Sequence, residues 1–309
     1  QFQETARAAV LALDGVSEVS VHMTAQTRGT SHQGKPEGLE HVQNVVAVAS
    51  GKGGVGKSTV AVNLALALAE SGAAVGLLDC DIYGPSIPIM LGIRGRPHIT
   101  PDKKIMPLES CGLQLMSIGF LAGEDAPVIW RGPMVHGIIK QFLGDVRWGE
   151  LDYLVLDLPP GTGDAALTLT QSAPLAGAVI VTTPQEVSLI DARKGLQMFQ
   201  RVNVPVLGIV ENMSYFVCDG CDKRHALFGQ GGAARTAREL GTQLLVQIPL
   251  EPAVVAAGDS GKPTLMAAPD SGVAAAIREL AGLVARKLSL LNSDAPPLLD
   301  TNIQWVNTP

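Results

Sequence analysis

Aromatic residues are scarce in this chain: three Trp, three Tyr and six Phe make up 4% of 309 residues. Its 46% hydrophobic content therefore comes from Ala, Val, Leu and Ile, a palette that suits a parallel sheet covered by helices. Charge is sparse too. Lys and Arg number 23 against 29 Asp and Glu, a net charge of −6, and no basic run occurs. That balance argues against a general electrostatic grip on nucleic acid. Long apolar runs are missing, because every candidate stretch is of strand length or is broken by Asp, Pro or Gly, so no membrane span is expected. Four cysteines are too few for a disulfide scaffold. The chain opens at Gln1 with no signal-peptide pattern, which reads as a fragment of a longer cytoplasmic protein.

What remains is enough for one large α/β domain with a small appendage. Residues 1–24 read as a helix (QETARAAVLAL), a turn at Asp14-Gly15 and a strand (VSEVSVHM). One helix and one strand cannot bury a core alone, so this is expected to be the remnant of a small N-terminal α/β unit. Residues 25–41, rich in Gly, Ser and Gln, read as a flexible linker, and the Pro-rich stretch 293–309 as a loose tail. Between them, 42–292 alternates apolar runs with helical segments. Runs at 44–50, 74–81, 153–160, 177–184, 204–213 and 244–250 are predicted strands, and 57–72 a helix closed by Gly72. This order predicts a doubly wound, mostly parallel sheet. Ligands of such sheets bind beyond the carboxyl ends of the strands, where the polar motifs of this chain fall.

The first motif is ASGKGGVGKST, residues 49–59. Gly51, Lys52, Gly53, Gly54, Val55 and Gly56 form a run able to wrap backbone N–H groups around phosphates, at the positive end of the helix that follows. Lys57 is expected to reach the β- and γ-phosphates of a nucleotide, Ser58 to ligate Mg²⁺, and Thr59 to contact a phosphate. Asp79 and Asp81 end the next strand two residues apart. One can order water around Mg²⁺ while the other orients the attacking water. Asp157 ends another apolar strand as a Walker-B acid would, and Gly161 and Gly163 can offer N–H groups to the γ-phosphate. Asn212, at a later strand end, is a candidate reader of an adenine edge.

Two features exceed the needs of one nucleotide site. Lys52 is a second cation in a loop already filled by backbone donors and Lys57, so it is either solvated or directed at charge outside its own pocket. A second nucleotide across a symmetric dimer is such a charge. The other feature is the pair Cys218-Asp-Gly-Cys221. Two thiolates cannot complete a Cys₄ site, whereas two from each copy of a homodimer make four. A zinc bridge, a reversible disulfide and simple packing are the alternatives. Cys80 and Cys111 are expected to be buried small apolar residues, and His225 a solvated surface residue.

In combination, GKGGVGKST, DCDIYGPS, IWRGPM (129–134), LDYLVLDLPPGTGD and VENMSYFVCDGC resemble the Mrp-type (ApbC) iron–sulfur cluster carriers over residues 40–290. These belong to the deviant Walker A superfamily with MinD, ParA, the arsenite-pump ATPase and the nitrogenase iron protein. The resemblance implies an ATP-hydrolysing homodimer that holds a [4Fe–4S] cluster at its interface through Cys218 and Cys221. It further implies delivery to apo iron–sulfur proteins alongside cluster-assembly factors. By the same resemblance, Lys52 reaches the partner's phosphates, Asp81 serves the hydrolytic water and Asn212 holds the base. Residues 1–24 resemble the end of the small domain that precedes the ATPase in many such proteins. Two rivals remain at this point. One is a positioning ATPase of the MinD or ParA kind, with the amphipathic segment 275–291 as its candidate binding helix. The other is a zinc-bridged scaffold using ATP as a clamp.

Overall fold

A computed structural model describes residues 35–82, 84–120 and 132–293, with Leu11 in addition. The expected N-terminal remnant (Leu11 aside), residues 25–34 of the expected linker, residues 129–131 of the IWRGPM motif and the tail beyond 293 lie outside the described residues. In chain order the elements are β1 (Val42–Ser50), α1 (Lys57–Glu70), β2 (Val75–Asp79), α2 (Ile87–Met90), β3 (His98–Ile99), β4 (Ile105–Met106), β5 (Leu108–Ser110), β6 (Leu113–Ser117), α3 (Gly132–Gly144) and β7 (Leu151–Asp157). They continue with α4 (Asp164–Ser172), β8 (Leu175–Thr182), α5 (Glu186–Arg201), β9 (Val206–Glu211), β10 (Phe216–Val217), β11 (Arg224–His225), α6 (Gly232–Glu239), β12 (Leu244–Gln247), α7 (Pro252–Asp259), α8 (Thr264–Ala267) and α9 (Gly272–Ser293).

Eight strands form one sheet in the order β12-β9-β8-β1-β7-β2-β6-β5. All neighbours are parallel except β5, which pairs antiparallel with β6. β1 lies in the middle, and apart from Gln43 each of its residues is buried, which explains why its sequence is apolar without alternation. Register then does the functional placement: Asp157 stands opposite Val48 on one side and Asp79 on the other. The carboxyl ends of β1, β2 and β7 therefore converge on one spot.

Helix α9 packs against α1 and β12. It buries Val273, Ile277, Leu280, Val284 and Leu288, roughly 2 kcal/mol of transfer energy for each large side chain. Arg278 pairs with Glu70 of α1 at 2.7 Å, and Lys287 donates to the Leu207 carbonyl at 2.7 Å. The amphipathic segment 275–291 is thus a cover for the sheet.

Three expectations need correction. Residues 35–41 are not linker. Leu39 is fully buried in the core, Glu37–Leu39 forms a 3-10 turn, and the Lys35 ammonium donates to the Val42 carbonyl at 2.8 Å. Polar neighbours had hidden that single buried Leu. The predicted strand 153–160 ends at Asp157, ahead of Pro159 and Pro160, which have no N–H to add to a ladder. Finally, Cys111 is exposed, not buried. It and Gly112 are the two central residues of the β5–β6 hairpin, at φ 53° and 76°, the left-handed pair that such tight turns require. Cys80 is buried, as expected.

Candidate functional site

The phosphate loop is built by close approach. A Cβ on Gly51 would lie 2.1 Å from the Asp191 carbonyl carbon of α5, so the loop can only leave β1 at this angle if residue 51 has no side chain. Gly54 and Gly56 take φ of 79° and 81°, and Gly56 hands the chain directly into α1. The unpaired N–H groups of the first turn of α1 face the loop's mouth, an anion site by construction. Lys57, Ser58 and Thr59 open that helix, and Val55 is buried behind it. The Lys57 ammonium, only 6% exposed, lies 2.5 Å from Asp157 Oδ1, 3.3 Å from Ser58 Oγ and 3.7 Å from Asp81 Oδ2. The phosphate-loop lysine and both acidic motifs predicted from sequence therefore share one site.

The carboxylates are not equivalent. Asp79 is fully buried: Oδ2 accepts from Ser117 Oγ at 2.9 Å and Oδ1 from the Asp81 N–H at 3.1 Å. Burial, reinforced by the charge of Asp157, pushes the Asp79 carboxyl up to about 7, against the pull of those hydrogen bonds and of Lys57. Asp157 is also fully buried, and burial raises its pKa while Lys57 opposes the rise. Its Oδ2 has no hydrogen-bond partner among the described residues. An orphaned buried carboxylate oxygen calls for a cation or water, and beside the Ser58 hydroxyl this donor set fits Mg²⁺. Asp81 is the most solvated of the three, with 14% of its side chain exposed.

Asn212 follows β9. Its N–H donates to the Thr182 carbonyl and its Nδ2 to the Val55 carbonyl, both at 2.8 Å. The amide is thereby locked against the phosphate loop, and a Cβ on Gly56 would come within 2.2 Å of its nitrogen. Oδ1 remains as an acceptor. Asn212, Gly56 and Thr59 line a cavity of about 410 Å³ whose opposite wall includes Pro249, Leu250 and Val254, room for a flat heterocycle. Gly161 departs from expectation: its N–H is already bonded to the Ser50 carbonyl at 2.8 Å, which leaves Gly163, at the start of α4, as the available donor of that pair.

The cysteine pair rides on a separate ribbon, β10 with β11, which begins four residues after Asn212. The Cys218 N–H donates to the Lys223 carbonyl at 3.0 Å and the Asp222 N–H to the Cys218 carbonyl at 2.9 Å, closing a tight loop around both thiols. Neither cysteine is in a disulfide; Cys218 is half-buried and Cys221 exposed. The Gly220 N–H, then the thiol and N–H of Cys221, hold the Cys218 thiol below its ordinary pKa and toward thiolate. The Arg224 guanidinium stacks 4.5 Å over the Tyr215 ring and braces the base of the ribbon, and His225 is exposed, as expected. Among the described residues, no group of three His, Cys, Asp or Glu gathers to hold a metal within one chain. Lys52 is half-buried, and among the described residues its ammonium has neither an ion pair nor a hydrogen bond.

Residues 41–285 match the family model described as ParA: NUBPL iron-transfer P-loop NTPase. The chain belongs to this family. A protein named iron-sulfur cluster carrier protein from Synechocystis is 52% identical over 93% of this chain and 83% of its own length. Among solved structures, the nucleotide-binding protein from Archaeoglobus fulgidus in complex with ADP is 41% identical, with a TM-score of 0.67 over 76% of this chain and 92% of that one. The cell division ATPase MinD from Pyrococcus furiosus, 22% identical with a TM-score of 0.59 over 79% of this chain and 99% of its own, shares the fold.

Two residues of this iron-transfer P-loop NTPase escaped the sequence reading. Ser117, which holds Asp79, ends β6, a strand whose interior Gln114 and short length masked it. Glu211 is buried directly before Asn212, and a carboxylate inside an apolar strand end was its visible signal.

Proposed function

We propose that this chain is an ATP-hydrolysing carrier of a [4Fe–4S] cluster. It works in the cytoplasm as a homodimer and passes the cluster to apo iron–sulfur proteins, served by cluster-assembly factors. The observation that carries the reading is the cysteine ribbon. Two free thiols lie side by side on the ribbon that follows Asn212 in the chain, one of them biased toward thiolate, with no third ligand from their own chain among the described residues. Two such chains supply the four thiolates that a [4Fe–4S] cargo takes.

The chemistry at the loop follows from the charges. One buried ammonium faces two carboxylates, Asp157 and Asp81, in the nucleotide-free arrangement. When ATP enters, Lys57 turns from Asp157 toward the β- and γ-phosphates, and the N–H groups at the start of α1 close on them. Ser58 and Asp157 would hold Mg²⁺, with Asp79 behind them ordering its water shell. Once bound, that ion screens the phosphate charge and aligns the γ-phosphoryl group. Asp81 orients the attacking water, and Lys52, without an ion pair or side-chain hydrogen bond among the described residues, extends to the phosphates of the second copy. Asn212 Oδ1 accepts from the exocyclic amine of adenine, which favours ATP over GTP because a guanine carbonyl there would meet an acceptor.

Of the cations on 275–291, Arg278 and Lys287 are engaged within the body and Arg286 is exposed, which counts against the terminal basic helix that a MinD- or ParA-like binder would need from α9. The deciding experiment is anaerobic reconstitution with iron and sulfide counts, visible absorption and particle mass. One [4Fe–4S] per dimer is expected. Cys218→Ser or Cys221→Ser should each abolish loading while ATP binding persists, and Cys80→Ser and Cys111→Ser should load normally. A full cluster on a monomer overturns the bridged model, and stoichiometric zinc without sulfide installs the scaffold in its place.

A further inference from the structure

The loop that carries the cysteines leaves β9 after Glu211 and returns to the body at the start of α6. Both of its legs are held by one side chain. Glu211, 1% exposed, accepts from Ser214 Oγ on the outgoing leg at 2.5 Å and from the Ala233 N–H on the returning leg at 3.3 Å. Gln247 Nε2 of β12 donates to the same carboxylate at 2.6 Å and to Ser214 Oγ at 3.0 Å. No cation pairs with Glu211 among the described residues. Three donors, one of them in the first turn of α6, converge on its two oxygens.

The same segment is stapled to the wall of the nucleotide cavity. The Ile248 N–H donates to the Glu211 carbonyl at 2.9 Å, the Ser214 N–H to the Ile248 carbonyl at 2.9 Å, and the Leu250 N–H to the Tyr215 carbonyl at 2.7 Å. Ile248 and Leu250 line the cavity, and Asn212, the next residue after Glu211, is bonded to the phosphate loop. Met213, between Asn212 and Ser214, takes φ 54°, so the turn is fixed at an unusual backbone angle that leaves little slack. A shift of Asn212 or of the 248–250 wall therefore reaches Ser214 and Ala233 through Glu211.

We propose that Glu211 is a positioning residue that makes the cysteine loop respond to nucleotide: base binding beside Asn212 resets both legs of the loop and lowers the reactivity of Cys218 and Cys221. This rests on the ATP-binding reading above. A carboxylate is needed because three donors converge on two oxygens, whereas an amide would set a donor against a donor.

The test is site-resolved alkylation by iodoacetamide, read by peptide mass, on the whole chain with and without MgATP, with particle mass followed in parallel. Cys111 is exposed on the opposite edge of the sheet and serves as the internal reference. In the unmodified protein MgATP is expected to slow Cys218 and Cys221 about fivefold and leave Cys111 unchanged. Glu211→Gln is expected to bind ATP with little loss but bring that ratio near unity at an equal fraction of dimer. Gln247→Ala, at an exposed position, should retain the fold and reduce the ratio part-way. A full ATP response in folded Glu211→Gln overturns the proposal, as does a response that merely follows the dimer fraction. If Glu211→Gln does not fold, an undiminished response in both Gln247→Ala and Ser214→Ala overturns it equally. Unmodified protein that binds ATP and loads a cluster while its thiols ignore nucleotide refutes the coupling alone. Failure to bind ATP at all refutes the functional reading beneath it.

Discussion

Replacing Asp79 with Asn should make the nucleotide-free protein more stable and a poorer ATPase. The fully buried carboxyl is carried from an ordinary 3.8 to about 7 by burial and by Asp157. The folded state therefore keeps a proton that the unfolded chain releases, so stability falls as pH rises from about 4 to about 7 and then levels off. At ~1.4 kcal/mol per pH unit, ionised Asp79 costs the fold about 4 kcal/mol at pH 8. Asn keeps the shape, can still accept from the Asp81 N–H, and can donate to a rotated Ser117 hydroxyl. It has no charge to desolvate. Urea unfolding of both proteins without nucleotide, between about pH 5 and pH 8, reads the effect as a difference that includes the altered titration of Asp157, whose charge interacts with that of Asp79. The variant's advantage should grow by about 3 kcal/mol over that range. A gap that does not widen with pH, or a variant less stable than its parent at the alkaline end, would refute the account of Asp79 as a strained buried acid. Stability gained at the expense of turnover is the expected pattern for a functional carboxylate.

Lys57→Ala removes a charge-assisted contact of about 3 kcal/mol to phosphate and should weaken ATP binding about a hundredfold in calorimetry. Asp81→Asn should bind ATP normally and slow steady-state hydrolysis about a hundredfold, and equal loss of binding in both variants would show that Asp81 holds nucleotide instead. Lys52→Ala should bind ATP in each monomer yet hydrolyse it poorly. Mixing it with Asp81→Asn should restore part of the activity through one intact composite site per mixed dimer. No recovery, with mixed dimers confirmed by mass, would count against a lysine acting in trans.

The nucleotide site was legible because its chemistry is local. A strand, a Gly-rich loop and a helix are contiguous in 44–70, and backbone donors need only that order. The acids were legible because Asp79 and Asp157 each interrupt an apolar run at its end. What brings them together, the β2–β7 register, lies in no single stretch. The far edge was not legible. β6 places Gln114 within a short strand, and its partner β5 spans three residues, so neither carries a period long enough to read. Cys111 was misassigned for a related reason: a turn residue with φ above zero looks no different in sequence from a buried small residue. The role of Glu211 was not legible, since Ser214 lies in a loop, Ala233 in α6 and Gln247 in β12, up to 36 residues away.

No residue between 213 and 231 contributes to the hydrophobic core. Changes in the cysteine ribbon should therefore leave the ATPase body folded, abundant and competent to pair. On the bridged homodimer proposed above, a cell that makes equal amounts of an intact and a cysteine-less chain would by random pairing hold about a quarter of its dimers with all four thiolates. About half would pair a good copy with a bad one. A lesion in the ribbon would then behave as dominant, whereas a lesion that unfolds the body would remove only its own product and behave as recessive.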